Sequence, residues 1–414
     1  MTPMGTVRHD PARPPAIILG GEANALSIAR SLGRAGVASY AINHSRALVR
    51  SSRFCSWIDV PRAAPRIEQD WAAYLLGPQS NHLRGAVLLA ASDAALELIA
   101  GHRQPLSDRF RLDLSNPAAQ LCMLNKLCTY EAARQAGVPT PRFWVADDRE
   151  QLERLKDELV FPLIVKPIIS HRYKEKFKGA TFARASTFGE LLDAFDNTCR
   201  AGIKTFLVEM IPGPDDRLCS YYSYLDENGD NLFDYTKRII RRFPVNMGEG
   251  VYHVTDHVPG VKELSLRLCR QVGLRGIVNA EFKLDERDGQ LKLMECNGRF
   301  TAPDRLLIAS GLNLSLFVYE RLTGHRPQPP RHFRPGMRLW YPLRDYMAYR
   351  QLRKLGMLSF GQWVRSVLHP QVFPIFCWRD PLPAIAHTSR RAFSRTVRLL
   401  RAQKSAAPMV VSDP

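Results

Sequence analysis

The residues best suited to chemistry stand on one short stretch, Leu291-Lys292-Leu293-Met294-Glu295-Cys296-Asn297-Gly298-Arg299. Its alternation and the Asp288-Gly289 turn before it predict a strand. Residues two apart on a strand share a face, so Glu295, Asn297 and Arg299 project together while Met294 and Cys296 face away. A carboxylate, an amide oxygen and a guanidinium on one face suit oxygen ligation of Mg²⁺ with a cation beside it for phosphate or carboxylate. The plainer alternative is a hydrated edge strand. Ile277 to Leu284 forms a second predicted strand, with Asn279, Glu281 and Lys283 on one face. A three-residue loop with Gly289 in the left-handed position would pair Glu286 with Gln290, and therefore Glu281 with Glu295. Two opposed carboxylates repel unless a cation lies between them, and a divalent metal is the natural resolution.

Further candidates lie upstream. Lys126 follows Asn125 in an amphipathic helix predicted from Leu121 to Ala136, which Gly137-Val138-Pro139-Thr140-Pro141 ends. Alone it is an ordinary surface lysine. Lys166 closes the apolar strand before Pro167, where its ammonium is held in place for polyphosphate. The segment from Ile168 to Ala180 carries Lys174, Lys176 and Lys178, and is either a flap over phosphates or a solvated basic loop. Glu209 lies on the strand from Thr205 to Ile211. Tyr221 to Leu225 and Leu232 to Ile240 form a predicted hairpin whose second arm leads to Arg241 and Arg242, candidates for a substrate carboxylate or phosphate. His253 and His257 are by default structural, with a general-base role as the alternative.

The elements that position these groups begin with Ala16 to Leu19, Gly20-Gly21, a helix from Asn24 to Ala35 and a strand from Ser39 to Ile42. That is the opening of a parallel α/β unit. Ala86 to Ala90 is a buried-type strand, capped into the next helix by Ser92-Asp93. Gly20-Gly21 lacks the G-x-G-x-x-G spacing, and no acid ends the second strand, which argues against a nicotinamide cofactor. The 414 residues suffice for two or three domains, and eight scattered Cys without a C-x-x-C pair argue against zinc or a disulfide framework and fit a reducing cytoplasm. The proline-containing first fifteen residues predict no signal peptide, and no apolar run approaches a membrane span. The net charge is +18, and from Arg326 onward sixteen Lys/Arg face three Asp, a local excess of thirteen. Pro383 to about Arg401 is predicted as a basic amphipathic helix that packs on the rest of the chain or meets an anionic membrane surface. No aromatic platform accompanies the charge, so nucleic acid is not expected.

Lys126, Lys166, Glu209, Glu281 and Glu295-x-Asn297-x-Arg299, in that order, resemble the ATP-grasp superfamily. The likeness is to carboxylate–amine ligases related to the ATP-binding domains of carbamoyl-phosphate synthase and biotin carboxylase, and it covers about residues 16 to 325. It implies an α/β (α+β) ATP-grasp fold. A Rossmann-like domain over 15–119 would precede an ATP-grasp domain over 120–325, whose lid subdomain spans about 140–210. A helical basic extension over 326–404 would follow, with 1–14 and 405–414 disordered. Lys126 and Lys166 would contact the ATP phosphates, Lys166 also reaching the adenine side. Glu209, Met210 and Ile211 would meet the adenine edge, and Asp216 or its neighbour Asp215 the ribose. Glu281, Glu295 and Asn297 would hold Mg²⁺ (or Mn²⁺), and Arg299 would steady the transferred phosphoryl group. The flap departs from the glycine-rich pattern of the superfamily, with Gly179 alone, and Asn125 stands where aspartate is common.

The resemblance implies a cytoplasmic ligase that activates a small-molecule carboxylate as an acyl phosphate and joins it to an amine. It also allows for a homodimer. The competing expectations are a non-catalytic ATP-binding scaffold docked to an anionic surface by its basic tail, and a nicotinamide oxidoreductase built on the N-terminal glycines.

Overall fold

The computed structural model describes residues 9–44, 47–177, 179–329 and 332–389. Three sheets carry the architecture. The first is parallel, from β1 (Ala16–Leu19), β2 (Ser39–Asn43), β3 (Ser56–Asp59) and β4 (Val87–Ala90) in the order β3-β2-β1-β4. β1 pairs in parallel with both β2 and β4, which puts it at the centre, and all four of its residues are fully buried. An apolar run covered on both faces requires a parallel α/β layer. After β1 the chain turns so tightly that a Cβ on Gly21 would lie 2.3 Å from Ala47 Cβ, so only glycine fits. Within the stretch expected to be disordered, Asp10 N bonds Gly36 O and Pro14 O accepts from Tyr319, so these residues are tied down.

The second sheet is small and antiparallel: β5 (Phe143–Trp144), β6 (Leu163–Pro167), β7 (Ala183–Ala185) and β8 (Thr205–Glu209), in the order β5-β8-β6-β7. The flap between β6 and β7 is not a loop. Ser170–Lys176 is a short helix, and Lys178 lies outside the described residues.

The third sheet has seven strands, β13-β12-β9-β10-β11-β14-β15. They are β9 (Leu218–Leu225), β10 (Tyr235–Phe243), β11 (Glu249–Thr255), β12 (Gly276–Asp285), β13 (Gln290–Asn297), β14 (Arg338–Trp340) and β15 (Gln371–Val372). The β9–β10 hairpin matches the expectation, with Tyr235 opposite Tyr222. One apolar cluster joins this sheet to the first: Ile18 and Leu26 share it with Tyr222, Tyr235, Ile277 and Phe317. Each such buried aliphatic or Phe side chain contributes about 1.5–3 kcal/mol, so the two sheets are held together by a shared core.

Two expectations change. The helix predicted from Leu121 to Ala136 is two helices, Pro117–Leu124 and Lys126–Gln135, broken at Asn125. Asn125 leaves helical geometry and its side chain accepts from Cys128 N, an N-cap that places Lys126 at the first position of the second helix. Cys122 and Cys128 form a disulfide across this break, so the reading of all eight cysteines as reduced does not hold for this pair. The C-terminal extension is also not purely helical, because β14 and β15 extend the large sheet. The basic stretch 390–404 and residues 405–414 lie outside the described residues. Among the described residues no helix is long and apolar enough to cross a membrane.

Candidate active site

Glu281 and Glu295 stand opposite one another across β12 and β13, as the sequence predicts, but by a different route. The hairpin closes with Asp285 opposite Gln290, around a four-residue loop in which Gly289 has φ 69°. That register alone would turn Glu295 to the wrong face. A shift between Glu281 and Phe282, where Met294 is the extra residue, restores it. The bulge also alters Met294, expected to face away. It lines the cleft, and its carbonyl accepts from Lys166 Nζ at 2.9 Å and Tyr130 OH at 3.2 Å. Cys296 is buried against Cys269, as packing.

Lys126 Nζ reaches Glu295 Oε2 at 2.5 Å, bringing the first helical position after Asn125 to the end of β13. Burial pushes the Glu295 carboxyl up, but the Lys126 and Lys166 ammonium groups and Asn297 outweigh it and hold it well below the usual range. Glu281 is moved the other way, by burial and then by the charge of Glu295, and it accepts no hydrogen bond from the described residues. Lys166 also lies 4.7 Å from the centre of the Tyr130 ring and 3.0 Å from its hydroxyl. Burial, then the Lys126 charge, lowers its pKa to about 7. An anion would return the missing charge.

Arg299 is held by Asp93 at 2.5 Å, from the N-cap region of the helix after β4, and by Asn297 Oδ1 at 3.2 Å. The N-terminal sheet therefore aims a guanidinium into a site built on the large sheet. Lys237, only 1% exposed, was not singled out by the sequence. It bonds Ser220 Oγ at 2.9 Å, and Ser220 is opposite Glu281, so the row Glu295, Glu281, Ser220, Lys237 crosses four strands. Its signal was parity on β10 once the register with β9 is known. His253 is buried in the cleft lining, its pKa driven well below the ordinary value by burial and by Lys237, which keeps it neutral.

Other predicted residues are placed elsewhere. Arg241 does not face the cleft. It makes a two-pronged ion pair with buried Asp345, at 2.6 and 2.9 Å, because register shifts on either side of it interrupt the alternation that brings Lys237 and Ile239 inward. Arg242 lines the cleft instead, paired to Asp215 at 2.7 Å. His257 packs on Phe333, outside the lining. Glu209 is bound to Arg287 at 2.6 Å and to Arg142 N at 3.2 Å. Glu209, Met210, Ile211 and exposed Asp216 form the connection from the lid sheet, which Lys283 fastens through the carbonyls of Ile211 (2.9 Å) and Gly213 (2.8 Å). These four do not line the large cleft.

The donors fit Mg²⁺. Among the described residues no three His, Cys, Asp or Glu side chains gather for a metal. Two carboxylates and an amide suit an ion that completes its shell with water and phosphate oxygens. Half-buried Glu281, without a hydrogen bond among the described residues and facing the Glu295 carboxylate, is a group that a cation would settle. Asn297 turns its NH₂ toward Glu295 Oε1 at 3.2 Å, so a ligand role needs its amide turned over. The cleft has a volume of about 1280 Å³, above the 300–1,000 Å³ or so typical of a single small-ligand site.

No family model matches the chain. It is 26% identical over 263 residues to the D-aspartate ligase of Enterococcus faecium, covering 60% of this chain and 61% of that protein. It is 25% identical over 229 residues to a D-alanine–D-alanine ligase of Methylococcus capsulatus, covering 51% and 67%. The chain thus spans somewhat under two thirds of the first of these relatives. Among solved structures, the biotin carboxylase domain of Hydrogenobacter thermophilus 2-oxoglutarate carboxylase, a dimer with MgADP, ADP and bicarbonate, superposes with a TM-score of 0.60 at 15% identity, over 78% of this chain and 73% of that one. The N5-carboxyaminoimidazole synthetase of Staphylococcus aureus gives 0.58 at 15%, over 79% and 82%. The chain has the ATP-grasp fold, and in sequence it resembles the carboxylate–amine ligases of that superfamily.

Proposed function

We propose that this protein is an ATP-dependent ligase that converts a small-molecule carboxylate to an acyl phosphate and joins it to an amine, releasing ADP and phosphate. The observation that carries this is Glu281 facing Glu295 across β12 and β13, with Lys126 on Glu295 and Lys237 in the same row. Glu281, Glu295 and Asn297 would hold Mg²⁺, which when bound offsets the charge of the triphosphate. Lys126 and Lys166 receive the phosphates, and Lys166 regains its proton beside them. Glu209, Met210 and Ile211 would take the adenine edge and Asp216 or Asp215 the ribose beside the cleft, which requires Glu209 to exchange its bond to Arg287 for the base.

A substrate carboxylate oxygen attacks the γ-phosphorus, and the bond to ADP breaks. Arg299, fixed by Asp93, neutralises charge on the transferred group. The amine nitrogen then attacks the acyl carbon, the bond from that carbon to the bridging oxygen breaks, phosphate departs with the bridging oxygen, and the nitrogen loses a proton. The flap helix Ser170–Lys176 spans the cleft, with His171 on Glu97 at 2.9 Å and Lys174 on Glu249 at 3.5 Å. It shields the acyl phosphate from water.

The test is ADP release from Mg·ATP with pools of carboxylates and amines. Turnover should require both substrates and fall by about a hundredfold or more in Glu295→Gln. ATP binding without turnover for any pair would support a scaffold instead.

A further inference from the structure

Resting on this reading, we infer that the C-terminal segment completes the cleft as a strap and selects a substrate with an apolar body, an acyl chain or an aromatic ring. The strap is fastened to both walls. At the large sheet, Asp345 and Arg241 are 0% and 5% exposed at their side chains. At the N-terminal sheet, Asp380 and Arg30 are 1% and 2% exposed and 2.9 Å apart. Asp380 also accepts from Ser52 Oγ at 2.8 Å and Arg53 N at 3.0 Å. Desolvating two such pairs is costly, which is not how a loosely appended tail attaches.

Between these anchors, Phe373, Ile375 and Phe376 are half-buried and line the cleft with Leu343. Ile67 and Trp71 add to the lining from the N-terminal side. The cleft is therefore divided by chemistry. Its metal and phosphate end is charged, with Lys126, Lys166, Lys237, Glu281, Glu295 and Arg299. The part lined by the strap is mostly apolar, with Arg344, His387 and Thr388 its polar exceptions, and belongs to the same continuous space. The volume of about 1280 Å³ leaves room there beyond a nucleotide. A small polar amino acid would leave these apolar side chains wet, whereas an apolar substrate would cover them.

The experiment uses the full chain and two graded series: n-alkyl carboxylates from acetate to octanoate with a mixed amino-acid pool, and primary amines from methylamine to phenethylamine with the same pool. Both ADP release and ligand-induced thermal stabilisation are read. In one series kcat/KM should climb about fourfold per buried methylene. Phe376→Ser should flatten that climb while leaving the KM for Mg·ATP unchanged. Phe376→Leu, a milder change, should reduce it partly. If turnover occurs but both series are flat, or if neither variant alters the slope, the inference is overturned. If no pair releases ADP, the ligase reading fails, and a stabilisation graded with chain length and lost in Phe376→Ser would still support an apolar site.

Discussion

Asp380→Asn isolates the strap without touching the phosphate end. The substitution keeps the shape of the side chain and removes its charge. Arg30, whose side chain is 2% exposed, would be left buried without its carboxylate. Breaking one side of a buried pair costs about 3–5 kcal/mol. The lower end applies, because Arg30 Nη2 keeps the carbonyls of Ile375 and Asp380, each at 2.8 Å, and the new amide oxygen still accepts from Arg53 N. A cost of about 3 kcal/mol raises the population with an open strap more than a hundredfold at 1.4 kcal/mol per factor of ten. Amide hydrogen exchange over residues 373–381 reads that population directly. The expected result is exchange accelerated by about a hundredfold there, with little change in β1 or β12. Arg30→Met combined with Asp380→Leu should recover most of the loss, since no charge is then stranded. Acceleration below about fivefold in Asp380→Asn would refute the claim that this pair fastens the strap.

Other outcomes follow from single contacts. Asp304 is buried, and burial lifts its pKa to about 7, well above its unfolded value. The native state therefore holds its proton longer, and its stability contribution, complete below about pH 4, is lost as pH rises through 7. At 1.36 kcal/mol per unit the loss is a few kcal/mol, so Asp304→Asn should flatten the decline of the urea midpoint between pH 4 and 8; an unchanged slope would contradict the assignment. Glu97→Ala removes the acceptor of both His171 and Arg172. It should raise the KM for Mg·ATP several-fold and expose the flap helix to protease. Lys237→Met should lower kcat by about a hundredfold with a smaller effect on KM; an equal rise in KM alone would make Lys237 a ground-state binder.

How far the site could be read from sequence depended on where periodicity held. Glu281 facing Glu295 was legible because two strands and a glycine turn bound the possible registers. The actual loop is one residue longer, and the bulge at Met294 compensates, which no alternation rule announces. The same kind of irregularity on β10 misdirected Arg241 and left Arg242 to line the cleft. Lys126 was identified by type, but the break at Asn125 that places it is a capping event inside what looked like one helix. Lys237 and the strap required knowing that β9 lies between β12 and β10, and that β14 adds to the edge at β11. Such long-range pairings follow from tertiary packing, not from local pattern.

We propose that Glu281 and Glu295 hold a divalent cation on ATP. This is tested most directly by calorimetric titration of ATP with Mg²⁺ or with EDTA into the unaltered chain, Glu281→Gln and Glu295→Gln. The unaltered chain should bind at least about tenfold tighter with Mg²⁺, and each variant should lose that difference while still binding ATP. Variants that keep the full Mg²⁺ enhancement would contradict the account.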